Sequence, residues 1–360
     1  MNKLLTAIVG AMLALVLAGC AEPPQPTTTL SPEPSPTPPV ETMTACLVTD
    51  DAEPTPGSPN AQALDGLARA EQELAGVATI PAVAADGEQA GVVQGLVDQG
   101  CQVVIGRGEA LTDAMAAAAR ANPTIRFALM DATPTSVPAN LRPVQFDTHE
   151  SAFLAGYLAA SQSTLGTVGV FGGLAVPSAT IYMDGFVQGV AYYSEQKGRE
   201  IEVVGWNLDT QQGTFVQSPN SPWNDPQAGR TAAVSLTDAG ADVVLAVAGQ
   251  SGVGALEWAQ ASSLRVIWSD SNGCQTQAQY CDQMLGSVVK NRGNAVFELI
   301  SAEQQGRGAA GVFTAELRNG GTELIPAGAE FAPELAAELG SVEKGIIDGT
   351  IKVVSPAAIG

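Results

Sequence analysis

The chain has 360 residues, of which 45% are hydrophobic and 15% charged, so it can bury a large core and is not an intrinsically disordered protein. Its formal net charge is −21, and such an acidic surface disfavours nucleic acids and anionic lipid surfaces as partners. The length allows two domains of ordinary size.

The first 19 residues have the pattern of an export signal. Lys3 precedes the uncharged stretch LLTAIVGAMLALVLAG, which is short for a bilayer span of about 20 residues and has no basic flank after it. The letters LAGC, ending at Cys20, resemble the lipobox of bacterial lipoproteins, in which the cysteine is acylated after cleavage just before it. We predict a lipoprotein signal peptide at residues 1–19 and a diacyl or triacyl anchor, palmitate included, on Cys20. An ordinary signal peptide with a chance cysteine and a short anchor helix are the alternatives.

A proline-rich segment follows the cysteine. Residues 21–40 read AEPPQPTTTLSPEPSPTPPV, a composition that favours extended polyproline II and cannot form a packed core. We therefore predict that residues 20–40 are a lipid-anchored linker. A ligand for a proline-recognition module is the alternative.

Further along the chain, short β-branched runs alternate with alanine-rich helical stretches. Strands are predicted at Cys46–Thr49, Val103–Gly106, Arg126–Met130, Val144–Phe146, Thr167–Phe171, Ile201–Val204, Val243–Val247, Arg265–Trp268 and Gly286–Val289. Helices are predicted at Ala61–Leu74, Leu111–Ala121, Glu150–Ser161, Asp184–Gln196, Ala228–Ala239 and Ala295–Gln304. The alternation is typical of parallel sheets covered on both faces. Two successive sets predict an α/β protein with two doubly wound lobes, which bind ligands at the carboxyl ends of their strands.

Four cysteines remain after Cys20, and an even number in an exported chain favours disulfides. Cys46 and Cys101 each open an apolar run, so they can begin neighbouring parallel strands. Cys274 and Cys281 bracket the polar stretch QTQAQY. We predict the pairs Cys46–Cys101 and Cys274–Cys281. Zinc binding is disfavoured because the chain has no CxxC pair and one histidine.

Charged residues stand at the ends of several predicted strands, namely Asp50, Asp131, Asp270 and Lys290. A single charge after an apolar run can simply mark the point where a strand meets solvent. Three carboxylates and one ammonium at such positions instead favour a shared ligand site.

Motifs for catalysis and phosphate binding are missing from the sequence. It has no GxxxxGK[ST] loop and no GxGxxG after the first strand, and Val253 stands where a GxSxG nucleophile elbow requires glycine. His149, the sole histidine, is interpreted as a residue at the start of a helix rather than a catalytic base. We predict a protein that is not an enzyme and has no cofactor or metal site.

A series of longer motifs runs through residues 44–353. They are LVTD, SPNAQALDGL, RFALMD, ESAFLAGYLAA, GTVGVFGGLAVP, MDGFVQGV, WNDPQAGR, GADVVLAVAGQSGVGALE, SVVKNRGNAVFELI and EKGIIDGTIKV. This series resembles the basic membrane protein (BMP) family of bacterial lipoproteins, substrate-binding proteins of ABC importers whose best-known members bind purine nucleosides. The resemblance implies a type I periplasmic-binding-protein-like fold whose two lobes are joined by a hinge. It implies a first lobe of residues 41–147 plus 271–308 and a second of residues 148–270 plus 309–360.

The resemblance also implies how a nucleoside would be held. Asn60 would hydrogen-bond the base, and the Asp131 carboxylate would accept hydrogen bonds from the ring edge of the base. Asp270 and Lys290 would hold the ribose hydroxyls. Asp50 would order the loop that leads to Asn60.

Aromatic faces complete the implied site. Tyr182 would cover one side of the base, and Gly249 would let the backbone approach the sugar. Pro59 stands where the family has an aromatic residue, so one side of the usual base sandwich is missing or comes from elsewhere. Trp223 aligns with a family aromatic but is interpreted as packing within its lobe, and Trp268 is interpreted as core.

The expected protein is a lipid-anchored receptor on the extracytoplasmic face of the cell membrane. It would bind a purine nucleoside in the interlobe cleft and present it to the permease subunits of an ABC transporter. The alternatives are riboflavin or another small polar solute in the same fold, a signalling or surface lipoprotein that does not transport, and a nucleoside-cleaving enzyme.

Overall fold

The computed structural model describes residues 42–50, 52–219, 221–328 and 330–358. The predicted signal peptide, Cys20 and the proline-rich linker lie outside these residues. No helix in the described ranges is both long enough and apolar enough to cross a membrane.

Strands and helices alternate along most of the described chain. The strands are β1 (Met43–Asp50), β2 (Val77–Ala84), β3 (Val103–Arg107), β4 (Arg126–Met130), β5 (Leu141–Phe146), β6 (Thr167–Gly172), β7 (Glu202–Val204), β8 (Trp206–Asn207), β9 (Gln212–Gly213), β10 (Val243–Val247), β11 (Arg265–Asp270), β12 (Met284–Lys290), β13 (Phe313–Ala315) and β14 (Thr322–Pro326). The helices are α1 (Pro59–Glu73), α2 (Gln89–Asp98), α3 (Thr112–Ala121), α4 (Thr148–Gln162), α5 (Pro177–Lys197), α6 (Pro226–Asp238), α7 (Val253–Ala261), α8 (Gly273–Thr276), α9 (Arg292–Gln304) and α10 (Pro333–Ile347).

The first sheet has the order β13-β5-β4-β3-β1-β2, and all its strands are parallel. Side chains alternate between its two faces, so Ala45 and Leu47 of β1 belong to one apolar core while Cys46 and Val48 belong to another. Because both faces are buried, β1 reads as a continuous apolar run rather than an alternating one.

The second sheet has the order β14-β12-β11-β10-β6-β7. Its strands are parallel except for β14, which pairs antiparallel with β12. It too has an apolar core on each face, since Val243 and Leu245 of β10 join one cluster and Val244 and Ala246 join the other. The predicted α/β fold with two doubly wound lobes is confirmed.

Two strands belong to the sheet opposite to the one that the predicted lobe bounds imply. Strand β12, at residues 284–290, lies in the second sheet, and β13, at residues 313–315, lies in the first. The chain therefore changes sheets between β5 and α4, between β12 and α9, and between β13 and β14. Hydrophobic patterning shows that a strand is buried but not which sheet accepts it, so the sequence could not distinguish the two arrangements.

Both predicted disulfides are present in the structure. Cys46, in β1, is joined to Cys101, two residues before the neighbouring strand β3. Cys274 is joined to Cys281 across a seven-residue separation, in the segment between β11 and β12.

Candidate functional site

A cavity of about 540 Å³ opens where the carboxyl ends of strands from both sheets meet. Asp131 follows β4 and Phe146 ends β5 on the first-sheet side, while Val247, Asp270 and Lys290 end β10, β11 and β12 on the other. A cavity of this size fits a small molecule, and this edge of a doubly wound sheet is where such folds bind ligands.

The structure brings together most of the predicted ligand residues at this cavity. Asp131, Tyr182, Gly249, Asp270 and Lys290 line it. Trp268 is 4% exposed and lies in the core, as predicted.

Asp50 and Asn60 lie behind the cavity wall rather than in it. Asn60 is 2% exposed, and its Nδ2 donates hydrogen bonds to Asp50 Oδ1 at 2.8 Å and to the carbonyl oxygen of Ala52 at 2.7 Å. This pair therefore orders the loop after β1. Pro59, which precedes Asn60 and begins α1, lines the cavity itself.

Arg292 was not singled out by the sequence analysis, yet it lies at the centre of the site. It begins α9, and its side chain is 4% exposed. Its Nε lies 2.8 Å from Asp131 Oδ2 and its Nη2 lies 3.3 Å from Asp131 Oδ1. Burial alone would raise the pKa of the Asp131 carboxyl, but the Arg292 and Lys290 charges outweigh it and hold that pKa below its usual value. Asp131 is therefore ionised.

Asp270 is the second anionic centre of the cavity. Its Oδ1 accepts a hydrogen bond from the Tyr182 hydroxyl at 2.8 Å and lies 3.4 Å from Lys290 Nζ and 3.7 Å from Arg292 Nη2. Burial opposes ionisation, but Lys290 and Arg292 lower the pKa of Asp270 well below its usual range. Burial and the Asp270 charge raise the pKa of Tyr182 well above its usual value, so this phenol stays a neutral donor.

The two carboxylates share an unusual backbone conformation. Asp131 has φ of 60° and Asp270 has φ of 71°, in the left-handed region that non-glycine residues rarely adopt. Gly249, with φ of 55°, lies in the same region, and a Cβ at that position would meet the carbonyl oxygen of Trp223 at 3.1 Å. Asp270 ends β11, Asp131 directly follows β4, and Gly249 lies two residues after β10, so all three turn the chain where strands end at the site. The two aspartates carry the backbone strain of this conformation.

Arg107 supplies a third cation, at the end of β3. Its guanidinium contacts the Asp50 carboxylate, and its Nη1 lies 3.7 Å from Asp131 Oδ2. The sequence carried a signal for it, because Arg107 ends the apolar run VVIGR just as Lys290 ends SVVK. For Arg292 the only signal in the sequence was its position in SVVKNRGNAVFELI, the motif that also contains Lys290.

Three aromatic side chains line the cavity: Phe146, Tyr182 and Trp223. Lys290 Nζ lies 5.5 Å from the centre of the Tyr182 ring and 6.0 Å from that of Phe146. Trp223 also packs within its lobe, since a Cβ at Gly173 would lie 2.5 Å from its ring. It therefore serves both the packing role predicted for it and the cavity wall.

The described residues contain no cluster of three or more His, Cys, Asp or Glu side chains that could hold a metal ion. His149 is the second residue of α4 and is 7% exposed, with a pKa that burial lowers below its usual value. It lies at the start of a helix, as predicted, and does not line the cavity.

Residues 45–355 match the protein family described as ABC transporter substrate-binding protein, PnrA-like (Bmp). The chain belongs to this family. The predicted BMP resemblance is thereby confirmed, and so is the prediction that the chain is a binding protein rather than an enzyme.

Several named proteins are similar to this PnrA-like chain. The ABC transporter nucleoside-binding protein BmpA of Lactococcus lactis subsp. cremoris is 27% identical over 71% of this chain and 72% of its own. Basic membrane protein A1 of Borrelia garinii is 27% identical over 56% of this chain, and Basic membrane protein B of Borreliella burgdorferi is 31% identical over 54%. The chain spans about half the length of these last two relatives, 55% and 53% respectively.

Solved structures share the fold of this PnrA-like chain. An ABC transporter system solute-binding protein from Aeropyrum pernix K1 superposes with a TM-score of 0.61 at 23% identity, over 87% of this chain and 94% of that one. A transcriptional activator of the comK gene from Bacillus halodurans gives a TM-score of 0.68 at 18% identity, over 86% and 99%. At these identities the likeness establishes the two-lobed fold alone.

Proposed function

We propose that this chain is the extracytoplasmic solute receptor of an ABC importer and that its cavity binds a purine nucleoside. The family makes it a substrate-binding protein of an ABC transporter. The nucleoside, the import direction and the membrane anchor are the finer parts of the proposal.

The pairing of charges around the cavity carries the proposal. Arg107 pairs with Asp50, Arg292 with Asp131, and Lys290 with Asp270. Because each of these cations already has a carboxylate partner, a ligand with a phosphate or carboxylate would enter without a free counter-charge. The site therefore favours a neutral molecule.

The polar and aromatic groups favour a molecule with hydroxyls and a flat ring. Asp270 and Lys290 offer an acceptor and a donor that suit ribose hydroxyls, while Phe146, Tyr182 and Trp223 offer ring faces. Asp131 keeps lone pairs beyond its two contacts with Arg292, and these suit the N–H groups of a purine edge. The name of the Lactococcus relative, a nucleoside-binding protein, agrees with this choice.

The membrane anchor rests on the sequence. The LAGC stretch ending at Cys20 and the proline-rich linker after it support a lipid-anchored receptor, held at the outer face of the membrane beside the permease subunits. Expression of the natural chain and of a Cys20→Ala variant in the same host tests this part. The natural chain is expected in the membrane fraction and the variant in the aqueous fraction, and equal fractionation would refute the anchor.

Riboflavin is the second candidate ligand, and Pro59 favours it. This proline lines the cavity where the family resemblance calls for an aromatic residue, so the wall on that side is less bulky and leaves room for a wider ring system. Thermal unfolding of the purified protein with inosine, guanosine, adenosine, their free bases and riboflavin separates the two. A ligand present at 1,000 times its Kd raises the free energy of unfolding by about 4 kcal/mol, so whichever of these compounds binds will give a clear shift in Tm. A shift with riboflavin alone would replace the nucleoside.

A further inference from the structure

The segment that follows α10 runs back to the mouth of the cavity. Within it, Val354 is fixed by two hydrogen bonds to one side chain: Gln188 Nε2 donates to the Val354 carbonyl oxygen at 2.7 Å, and the Val354 N–H donates to Gln188 Oε1 at 3.1 Å. Gln188 lies on α5, the helix whose residues Pro177, Ser178, Ile181 and Tyr182 line the cavity. The segment is thereby attached along α5 instead of extending into solvent.

A fully buried carboxylate provides a second attachment. Asp184 is 0% exposed, and its Oδ2 accepts a hydrogen bond from Ser355 Oγ at 2.6 Å. Its Oδ1 accepts from Trp206 Nε1 at 2.9 Å and from Gln211 Nε2 at 2.8 Å. One buried carboxyl group therefore joins the hairpin β8–β9, helix α5 and the segment after α10 through three hydrogen bonds.

These attachments place Ala357 in the wall of the cavity. Ser355 Oγ accepts a hydrogen bond from the Ala357 N–H at 3.1 Å, which fixes the turn between the two residues. Ala357 lines the cavity, as do Pro177 and Ser178, which form the first turn of α5. A small side chain here leaves room that a larger one would fill.

We propose that Ala357 is a specificity-determining residue that limits the size of the ligand, and that Asp184 is the positioning residue that holds it there through Ser355. This inference rests on the proposed function, because it concerns the same cavity. The ligand class that it discriminates is the set of purine nucleosides that differ in bulk on the base.

A pair of tryptophan variants tests the size limit. Ala357→Trp places an indole in the cavity, whereas Val354→Trp places the same group on a side chain that is 60% exposed and does not line the cavity. Affinities are measured for inosine and for N6-benzyladenosine. We expect Ala357→Trp to weaken the bulky nucleoside by about tenfold more than the small one, and Val354→Trp to leave the ratio unchanged. Equal weakening of both nucleosides by Ala357→Trp, or no weakening of either, would overturn the proposal.

A second experiment needs no ligand. Ala357→Cys and Val354→Cys are made in the full chain with Cys20→Ala, so that the remaining cysteines are in the two disulfides. Iodoacetamide, which is small, is expected to label both introduced thiols, while a fluorescein maleimide labels position 357 several-fold more slowly than position 354. Equal maleimide rates would show that position 357 is not a cavity wall.

The same labelling assay tests whether Asp184 positions Ala357. Adding Ser355→Ala to the Ala357→Cys chain removes the hydroxyl that Asp184 holds, and the maleimide rate at position 357 is expected to rise several-fold. Ser355→Thr retains a hydroxyl and is expected to restore the slow rate. If no nucleoside binds the unaltered protein, the proposed function fails, but the labelling rates still show whether position 357 lines the cavity. If Ser355→Ala leaves the rate unchanged, the positioning role fails although nucleosides bind.

Discussion

Arg292, the first residue of α9, and Asp131, the residue after β4, form a two-point ion pair with atom separations of 2.8 Å and 3.3 Å. The arginine side chain is 4% exposed and the carboxylate side chain 18%. Helix α9 packs against the first sheet, yet it starts directly after β12 of the second. The pair therefore lies where the chain passes from one sheet to the other. It ties the carboxylate expected to bind the base to the junction between the sheets.

Removing the charge of Asp131 is expected to destabilise the protein strongly. Asp131→Asn removes the nearer anion of the buried Arg292 guanidinium and leaves it only Asp270, whose Oδ1 lies 3.7 Å from Arg292 Nη2. Breaking a buried pair costs about 3–5 kcal/mol, and because Asp270 remains we expect a loss near the lower end of that range. Glu73→Gln, in an exposed pair with Arg69, is the matched control and is expected to cost less than about 1 kcal/mol. Urea unfolding measures both, and similar small losses would show that the Asp131 pair contributes little.

Asp270 is expected to distinguish a nucleoside from its free base. Because Asp270 is assigned to the ribose, Asp270→Asn should weaken inosine by about tenfold or more and leave hypoxanthine nearly unchanged. Asp348→Asn, at the exposed residue directly after α10, is the control and should alter neither affinity. An equal loss for nucleoside and base after Asp270→Asn would contradict the ribose assignment.

Glu150 is expected to make stability depend on pH near neutrality. Its Oε2 accepts the Leu317 N–H at 2.8 Å in the segment between β13 and β14, and burial raises its pKa from 4.5 to about 7, with Glu316 and Asp147 adding to the shift. The folded state then binds more protons than the unfolded state between these pH values, so the free energy of unfolding falls as pH rises through this window.

Glu150→Gln removes that titration. The stability difference between wild type and variant is expected to change by on the order of 1 kcal/mol between pH 4.5 and pH 8, less than the full linkage value because the carboxyl is only partly buried. Chemical denaturation at a series of pH values measures it. A difference that stays constant with pH would mean that Glu150 titrates normally.

The two disulfides are expected to differ in their contribution to stability. Cys46–Cys101 closes a separation of 55 residues and Cys274–Cys281 one of 7. Restriction of the unfolded chain predicts losses of about 4 and about 2 kcal/mol when each pair is replaced by serines. Guanidinium unfolding of the two double variants gives the order, and a larger loss for the short loop would contradict it.

The sequence was a good guide where a strand was a short, uninterrupted apolar run. β4 and β10 have the predicted bounds. In the structure β1, β3 and β11 are each longer than predicted by one to four residues at their ends. β2 was missed because Pro81 interrupts it, and proline is tolerated there since β2 is an edge strand. β13 has three residues, too few for periodicity to register.

The site was predicted in part for a similar reason. Charged residues that end apolar runs identified Asp131, Asp270 and Lys290, because parallel strands bring their carboxyl ends to one edge. Ala357 carries no chemical signal, and only the folded chain brings it from beyond α10 to the cavity. Arg292 reads in sequence as one more residue at the start of a helix, and its role depends on a tertiary contact with a residue 161 positions away.

The paired charges of the cavity should favour a neutral nucleoside over an anionic one. Isothermal titration of the purified protein with inosine and with its 5′-monophosphate measures this preference. We expect saturable binding of inosine and about tenfold or more weaker binding of the monophosphate, because the cations that line the cavity within the described residues, Arg107, Lys290 and Arg292, already pair with carboxylates. Equal or tighter binding of the monophosphate, or no heat with inosine, would contradict it.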